Sequence, residues 1–256
     1  MEIGFSIESQ LRWLRAYVYM RTSIKKNNMS LFSNNHLKLG TISYSQCGED
    51  LIIINLCKML GIKHPVYLDI GCNHPIRFSN TYKLYLEGSR GICVEPNPEL
   101  KDIFKKRRPL DVFLPIGIGI TSEKSEEDYY LMDWHEFNSF SKEQAEKVQE
   151  YYKGKNNIKK QVKVQVVDIN QILEERGLQE LDLLSLDVEG WDFEIIKRID
   201  YVRFTPKIIC VEGIDVGKVQ QKRLQLKEFI MSKGYTLIAD TSINYIFLDN
   251  TSFGEL

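Results

Sequence analysis

Short apolar segments alternate along most of the chain with longer segments in which apolar residues recur at helical spacing. Eight of the short segments predict β-strands: "VYLDI", "GICVE", "VFLPIGI", "VKVQVVD", "LDLLSLD", "KIICVE", "YTLIA" and "NYIFLD". Four of the longer segments predict helices between them: "NPELKDIFKKR", "DINQILEERG", "DFEIIKRID" and "KRLQLKEFIMSKG". Strongly apolar strands that alternate with helices indicate a parallel α/β sheet covered on both faces. The last two strands lie close together, which predicts an antiparallel hairpin at one edge.

A further helix is predicted before the first strand, in "SYSQCGEDLIIINLCKMLG". Ser45 lies near its N-cap, and Glu49 and Asp50 complement the helix dipole in the first turn. Gly61 ends the helix. This helix therefore begins the α/β domain.

The first 40 residues differ in character from the rest of the chain. They carry six basic side chains against two acidic ones, and apolar residues such as Leu11, Leu14 and Val18 recur at helical spacing. A helix that packs on the body of the protein or on a second copy accounts for this pattern, and an amphipathic helix at a membrane surface or on a partner is the alternative. We therefore divide the chain into a helical extension with a linker, residues 1–40, and one larger domain, residues 41–256.

Composition and charge limit the classes of partner. The 256 residues are 43% hydrophobic and 27% charged, as in an ordinary globular protein with a substantial core. A net charge of -1 offers no general attraction to nucleic acid, and no run of about 18 apolar residues predicts stable membrane insertion. Five cysteines without a C-x-x-C pair indicate reduced, mostly buried thiols rather than disulfides or a zinc site. Together with the missing signal-peptide pattern, this predicts a cytoplasmic protein, compatible with a homodimer.

The end of the first strand, in "VYLDIGCNHP", carries the residues that indicate the ligand. In such sheets ligands bind beyond the carboxyl ends of the strands. A dinucleotide loop needs G-x-G-x-x-G to bring backbone amides to a pyrophosphate, whereas this turn has Gly71 alone and then Pro75. Asp69 would repel phosphate but suits the ammonium of an amino-acid-like ligand. These features therefore disfavour a nicotinamide-dependent oxidoreductase. A non-catalytic module that binds a nucleoside is a further alternative to an enzyme.

The second strand ends in "VEPNP", which places Glu95 26 positions after Asp69. An acidic residue at this distance reaches ribose hydroxyls. Such an acid alone does not separate NAD from S-adenosylmethionine, but with the pyrophosphate loop missing it favours S-adenosylmethionine. The alternative is that both carboxylates only cap the turns after their strands.

Several ordered blocks of the chain resemble the FkbM-type S-adenosylmethionine-dependent methyltransferases, over about residues 43 to 248. They are "SQCGEDLII", "YLDIGCNHPIRFSNTYKLYLEGSRGICVEPNP", "FNSFS", "LDLLSLDVEGWDFEIIKRID", "KGYTL" and "NYIF". The resemblance implies a Rossmann-like class I methyltransferase fold, with a seven-stranded, mostly parallel sheet, one antiparallel strand near an edge, and helices on both faces. It also implies methyl transfer to oxygen on natural-product or carbohydrate acceptors.

The resemblance further implies contacts to the cofactor by position. Asp69, Gly71 and Asn73 would line the methionine part, Glu95 the ribose, and Pro96 and Asn97 the adenine. The third strand, "PIGIGI", has no acid for the adenine amine. We therefore expect a backbone contact there, at Gly117 or Ile118.

Methyl transfer to a hydroxyl needs a base or a metal ion, because a neutral alcohol is a feeble nucleophile. Acidic residues cluster where the fourth and fifth strands should end, namely Asp187, Glu189, Glu212 and Asp215. Mg²⁺ and Mn²⁺ prefer oxygen ligands, so we expect Asp187, Glu212 and Asp215 to hold such an ion. Without a metal, Asp187, Glu189 or a histidine would be the base. The structural alternative is a tight Glu189-Gly190 turn, with Asp187 as a helix cap.

Candidates for the acceptor side lie in two places. His74 follows the cofactor turn, and His135 lies in "DWHEFNSFS", a segment that suits a cover over the acceptor. Either histidine would be a general base, and Asn138 and Ser139 would bind a sugar. The run "KKRR", residues 105–108, could bind a phosphate of a nucleotide-linked acceptor, but such a run at a helix end is usually solvated.

The sequence thus predicts an O-methyltransferase that acts on the hydroxyl of a nucleotide-activated or polysaccharide-linked sugar, as in polysaccharide biosynthesis, with Mg²⁺ or Mn²⁺ as a helper. A metal-independent methyltransferase for another small-molecule hydroxyl is the alternative.

Overall fold

The structure is a computed structural model that describes residues 41–121, 123–188, 190–213 and 219–255. Within these ranges there are seven α-helices: α1 (Glu49–Met59), α2 (Tyr82–Leu86), α3 (Lys101–Arg107), α4 (Lys142–Tyr151), α5 (Ile169–Glu175), α6 (Asp192–Arg198) and α7 (Val219–Ser232). The strands are β1 (Val66–Ile70), β2 (Arg90–Val94), β3 (Val112–Leu114), β4 (Gly117–Gly119), β5 (Ser125–Met132), β6 (Ile158–Asp168), β7 (Leu183–Leu186), β8 (Ile208–Glu212), β9 (Tyr235–Asp240) and β10 (Asn244–Asp249). The predicted helical extension of residues 1–40 lies outside the described residues.

Seven strands form the main sheet, in the order β3-β2-β1-β7-β8-β10-β9. Strands β3, β2, β1, β7 and β8 are parallel, and β10 runs antiparallel to both β8 and β9. This confirms the predicted mostly parallel sheet with one antiparallel strand, and the predicted hairpin of the last two strands. The strand order reverses between β1 and β7, so the carboxyl ends of these strands define the place where ligands bind in such sheets.

Apolar side chains fill both faces of this sheet. Successive residues of a strand point to opposite faces, and Tyr67 and Leu68 of β1 accordingly belong to two different core clusters. On one face the cluster includes residues of α5, α6 and α7, and on the other it includes Ile53 and Leu56 of α1. Helices therefore cover both faces, as the continuous apolar strands predicted. Within the described ranges, no helix combines the length and the apolar character that crossing a bilayer requires.

A second sheet, of order β4-β6-β5, was not predicted. The segment "VFLPIGI" was interpreted as one strand, but Pro115 separates β3 in the main sheet from β4 in the second, since proline has no N–H for a strand ladder. Strand β5 was missed because its first four residues, Ser125 to Asp128, are charged or polar. Helix α4 was missed because most of its residues are charged or polar, and Ala145 is its buried residue. We refer to residues 125–168, from the start of β5 to the end of β6, as the insert.

Candidate active site

A pocket opens at the carboxyl ends of β1, β2 and β7, with the insert as one of its walls. Of the predicted site residues, it brings together Asp69, Gly71, Asn73, Glu95, Pro96, Ile118, His135, Asn138, Ser139 and Asp187. The predicted residues His74, Asn97, Gly117 and Glu212 are not among those that line it. Glu189 and Asp215 lie outside the described residues. One space thus joins the residues assigned to the cofactor with those assigned to the acceptor.

The turn after β1 needs a glycine for a steric reason. Gly71 has a φ of 75°, and a Cβ added to it would lie 1.7 Å from the carbonyl oxygen of Asp187. A side chain would therefore push apart the ends of β1 and β7. Asn73 follows with a φ of 43°, and its buried Oδ1 accepts no hydrogen bond from the described residues. That oxygen is an acceptor in the pocket wall which a bound molecule can satisfy.

Asp69 is almost entirely buried beneath the pocket, with 4% of its surface exposed. Its Oδ2 accepts a hydrogen bond of 2.5 Å from the hydroxyl of Thr81, and Ser185 also bonds to its carboxylate. Burial raises the pKa of Asp69, and the guanidinium of Arg108 opposes that rise. The position suits the ammonium group of a ligand, since a cation would replace the solvent that the carboxylate has lost.

Glu95 is held at the end of β2 by two backbone groups. The N–H of Asn97 donates to Oε1 at 2.9 Å, and the N–H of Asn73 donates to Oε2 at 3.1 Å. Burial raises the pKa of Glu95 to about 7, against the effect of these two donors. Its carboxylate is thereby fixed toward the pocket, where both hydroxyls of a ribose can donate to it.

Asn97 supports Glu95 through its backbone N–H. Its Oδ1 accepts the N–H of Glu99 at 3.0 Å and so caps the short helix Pro98–Leu100. Its side chain is fully buried and does not line the pocket. The predicted position of Asn97 beside the adenine stays a prediction.

The apolar wall of the pocket comes from β4 and the insert. Ile116, Ile118, Tyr129 and Phe140 line it together with Pro96. The rings of Tyr129 and Phe140 lie 4.6 Å apart between centroids. This wall is suited to a flat adenine ring, and its aromatic part was not assigned to the cofactor from the sequence.

Gly117 has a packing role in this wall. A Cβ on Gly117 would lie 2.6 Å from the ring of Phe140, so a glycine lets that ring pack on β4. Phe137, the other aromatic residue of "FNSF", packs on Tyr152 instead. Asn138 is also occupied, because its Oδ1 accepts the N–H of Met132 at 2.8 Å. Asn138 and Ser139 were predicted to bind a sugar. Among the described residues, the side chain of Ser139 makes no buried hydrogen bond of this kind.

Two aspartates occupy the turn after β7. The N–H of Asp187 donates to the carbonyl of Ile70 at 3.0 Å, which joins the ends of β1 and β7. Asp192 closes the turn, since its carboxylate accepts the N–H groups of Val188 at 3.0 Å and Gly190 at 3.1 Å. Burial, and then the nearby charge of Asp187, raise the pKa of Asp192 to about 7. Asp192, the first residue of α6, thus stabilises the turn before the helix, and among the described residues no side-chain hydrogen bond caps the helix at its N-cap residue Trp191.

The two candidate histidines differ in position. Nδ1 of His74 accepts the N–H groups of Ile76 at 3.1 Å and Arg77 at 3.0 Å, so its proton is on Nε2. Burial and the charge of Arg77 lower the pKa of His74. His74 therefore stabilises its own turn as a neutral ring, whereas His135 lines the pocket. Beside His135, Glu136 forms an ion pair with Arg77.

The predicted metal site does not assemble among the described residues. No three His, Cys, Asp or Glu side chains in the described ranges are grouped to hold a metal ion. Of the predicted ligands, Asp187 lines the pocket and Glu212 does not, while Asp215 lies outside the described residues. Metal dependence therefore stays a prediction.

Several functional candidates were missed or misassigned from the sequence. Gln46, Arg77, Asn80, Gln144 and Trp191 also line the pocket. Trp191 is 49% exposed, and its place in the pocket lining rather than its exposure makes it a candidate for contact with a ligand. Arg108 of the "KKRR" run was interpreted as solvated or phosphate-binding, but it is buried, with 1% of its surface exposed. The four buried cysteines, by contrast, agree with the prediction of mostly buried thiols.

A seven-stranded sheet of this order, with a single-glycine turn and acidic residues at the ends of its first two strands, defines the class I methyltransferase fold. The chain matches the family model described as the methyltransferase FkbM domain over residues 69–237, about two thirds of its length. The chain therefore belongs to the FkbM methyltransferase family. A comparison with curated protein sequences gave no match.

Solved structures of methyltransferases are similar at low identity. FkbM methyltransferase from Methylobacillus flagellatus KT is 11% identical with a TM-score of 0.45, and the match covers 73% of this chain and 44% of that one. The chain thus spans less than half the length of that protein. CalS11, a TDP-rhamnose 3′-O-methyltransferase of calicheamicin biosynthesis, is 10% identical with a TM-score of 0.45 and 96% of each chain covered. The TehB-like methyltransferase of Corynebacterium glutamicum is 13% identical with a TM-score of 0.43, and the match covers 84% of this chain and 92% of that one.

Proposed function

We propose that this protein methylates a hydroxyl of a nucleotide-activated or polysaccharide-linked sugar. The observation that carries the proposal is that one pocket contains the two strand-end carboxylates, Asp69 and Glu95, together with Asp187 and polar side chains of the insert. A methyl donor and a hydroxyl acceptor can therefore meet in a single space beside a carboxylate base.

The pocket wall fits S-adenosylmethionine, which supplies a sulfonium methyl group when it is bound. Asp69 would bind the ammonium, Glu95 the ribose hydroxyls, and the buried Oδ1 of Asn73 would accept a hydrogen bond from the methionine part. Ile118 and the rings of Tyr129 and Phe140 would enclose the adenine. These contacts fix both ends of the donor, so the methyl group is presented toward the remaining part of the pocket.

Asp187 is the proposed general base. Its carboxylate would accept the proton of the acceptor hydroxyl as the acceptor oxygen forms its bond to the methyl carbon and the carbon–sulfur bond breaks. Asp192 is buried next to Asp187, and negative charges on both carboxylates repel each other. Uptake of the acceptor's proton would remove one of these charges and so relieve the repulsion. His135, which also lines the pocket, is the second candidate for this role.

The acceptor side of the pocket has the character of a carbohydrate site. Gln46, Asn80, Ser139 and Gln144 offer hydroxyl and amide groups, which match the several hydroxyls of a sugar. Trp191 adds an exposed aromatic face on which the C–H side of a sugar ring can pack. Polar groups and an aromatic face together support a sugar over a purely apolar acceptor.

An acceptor screen tests this proposal. Purified protein with S-adenosylmethionine is offered nucleotide sugars, oligosaccharides and simple phenols, with EDTA or with Mg²⁺, and release of S-adenosylhomocysteine is measured. We expect turnover with a sugar and loss of that turnover in Asp187→Asn, and the arms with EDTA and Mg²⁺ test the predicted metal requirement. Turnover with phenols and none with sugars would contradict the sugar assignment, and full activity in EDTA that Mg²⁺ does not change would contradict the metal hypothesis.

A further inference from the structure

Arg108 is a buried arginine whose guanidinium nitrogens all have partners. Its Nε forms an ion pair of 2.6 Å with Asp111, and Nη1 donates to the hydroxyl of Ser79 at 3.3 Å. Its Nη2 donates to the hydroxyls of Tyr67 at 3.0 Å and Thr81 at 2.9 Å. Desolvation of an ion is costly, so a buried arginine needs partners such as these for its charge and its donors.

The direction of the hydrogen bonds in this network is determined by chemistry. Arginine has donors and no acceptor, so the Thr81 hydroxyl must accept from Arg108. Its single proton is then left for Oδ2 of Asp69, at 2.5 Å. The same rule makes the Tyr67 hydroxyl donate to Asp111, at 2.9 Å. Asp69 is thus connected to Arg108 through one hydroxyl with a fixed orientation.

The charges of the cluster do not balance. Arg108 contributes one positive charge, Asp111 contributes one negative charge, and Asp69 contributes a second when it is ionised, which burial without a bound cation disfavours. Asp111 makes the direct ion pair, whereas Asp69 reaches the guanidinium only through Thr81. The uncompensated negative charge is therefore at Asp69, which is the member of the three that lines the pocket. An ammonium group bound there would complete the cluster.

We propose that Thr81 and Arg108 are positioning residues that fix the carboxylate of Asp69 for the ammonium of the cofactor's methionine part. This inference rests on the proposed cofactor contacts and adds two residues that touch neither cofactor nor acceptor. The inference predicts a selective effect on binding. Loss of either residue should weaken the contact between Asp69 and the ammonium and leave the contacts with the adenosine end unchanged.

Two ligands separate this role from a general structural one. S-adenosylhomocysteine carries the ammonium, and 5′-methylthioadenosine has the same adenosine but lacks it. Thr81→Val keeps the shape of the side chain and removes the hydroxyl, while Thr81→Ser keeps the hydroxyl. By isothermal titration calorimetry we expect Thr81→Val to weaken S-adenosylhomocysteine about tenfold or more, with 5′-methylthioadenosine changed less than about twofold, and Thr81→Ser to restore the wild-type ratio.

Tyr67→Phe is the matched control, since it removes a partner of Arg108 that makes no contact with Asp69, and we expect it to keep the ratio of the two affinities. Equal losses for both ligands in Thr81→Val would overturn the inference in favour of a structural role, and so would an unchanged affinity for both. If Thr81→Val fails to fold, Thr81→Ala makes the same comparison with a smaller side chain. Failure of the wild-type protein to bind S-adenosylhomocysteine would contradict the proposed function itself.

Discussion

Glu95 combines a place at the cofactor site with a measurable effect on stability. Burial raises its pKa from 4.5 to about 7, so folding takes up a proton in this range. The contribution is fully present below pH 4.5 and is lost as the pH rises through about 7. We expect the free energy of unfolding of the wild type, relative to Glu95→Gln, to fall by about 3 kcal/mol between these pH values. Urea unfolding at pH 4.5 and 8 measures this difference, and a constant difference would refute it.

The same carboxyl group should make cofactor affinity depend on pH. Ribose hydroxyls donate hydrogen bonds, and the ionised carboxylate accepts them more strongly than the protonated acid does. We expect the Kd for S-adenosylhomocysteine to rise as the pH falls below about 7, by up to about tenfold per pH unit. Calorimetric titrations from pH 5.5 to 8.5 test this. Because Asp192 also has a pKa of about 7, Glu95→Gln is the control, and it should bind weakly with little pH dependence.

Asp187 is expected to affect turnover and not binding. Asp187→Asn keeps the shape of the side chain but removes the proton acceptor, and loss of a general base typically costs about 10²- to 10⁴-fold in rate. We therefore expect a loss of at least about 100-fold in kcat, with the Kd for S-adenosylhomocysteine within a few-fold of wild type. Single-turnover methylation and calorimetry give the two values. A variant that keeps its rate would move the role to His135.

The turn after β1 shows how a single element junction fixes the site. Gly71→Ala adds a Cβ 1.7 Å from the Asp187 carbonyl oxygen, whereas Gly61→Ala, at a similar positive φ of 68°, meets nothing within 4 Å. Gly61→Ala should therefore cost only the backbone strain, about 1 kcal/mol, and Gly71→Ala several times more. Chemical denaturation compares the two variants. Equal losses of stability in the two variants would contradict this expectation, because they would mean that the backbone at the junction of β1 and β7 moves aside at little energetic cost.

The strands of the main sheet could be predicted from the sequence, whereas of the insert only the second half of β6, "VKVQVVD", was predicted. Strand β1 is buried on both faces after Val66, so its residues other than Asp69 are apolar. Strands β5 and β6 expose many residues, such as Glu126 and Lys160, which conceal their extended conformation. Strand β6 starts at Ile158, earlier than the apolar pattern indicates, because its first half is largely solvent-exposed. Burial on both faces gives a strong sequence signal, and a half-exposed strand gives a weak one.

At the scale of the whole molecule, the site is predictable to the extent that its residues follow the strands directly. Asp69, Glu95 and Asp187 come at strand ends, so the topology alone brings them together. Arg108 reaches Thr81, 27 positions away, only through the tertiary fold, and no local pattern distinguishes it from its solvated neighbours. Whether Trp191 is exposed likewise depends on the surface of the folded protein. The sequence therefore predicts the pocket residues that follow strands directly better than those that only the tertiary fold brings to the pocket.

The most direct test of this account is thermal unfolding of the protein alone and with S-adenosylhomocysteine, S-adenosylmethionine, NAD or NADP, with Glu95→Ala as the control. A ligand at about 100 times its Kd adds roughly 2.7 kcal/mol, which for a domain of this size raises Tm by about 5 to 10 °C. We expect that shift with the two adenosyl-sulfur ligands and a smaller one in Glu95→Ala. A shift with NAD or NADP instead, or an equal shift in wild type and Glu95→Ala, would contradict the assignment of the pocket.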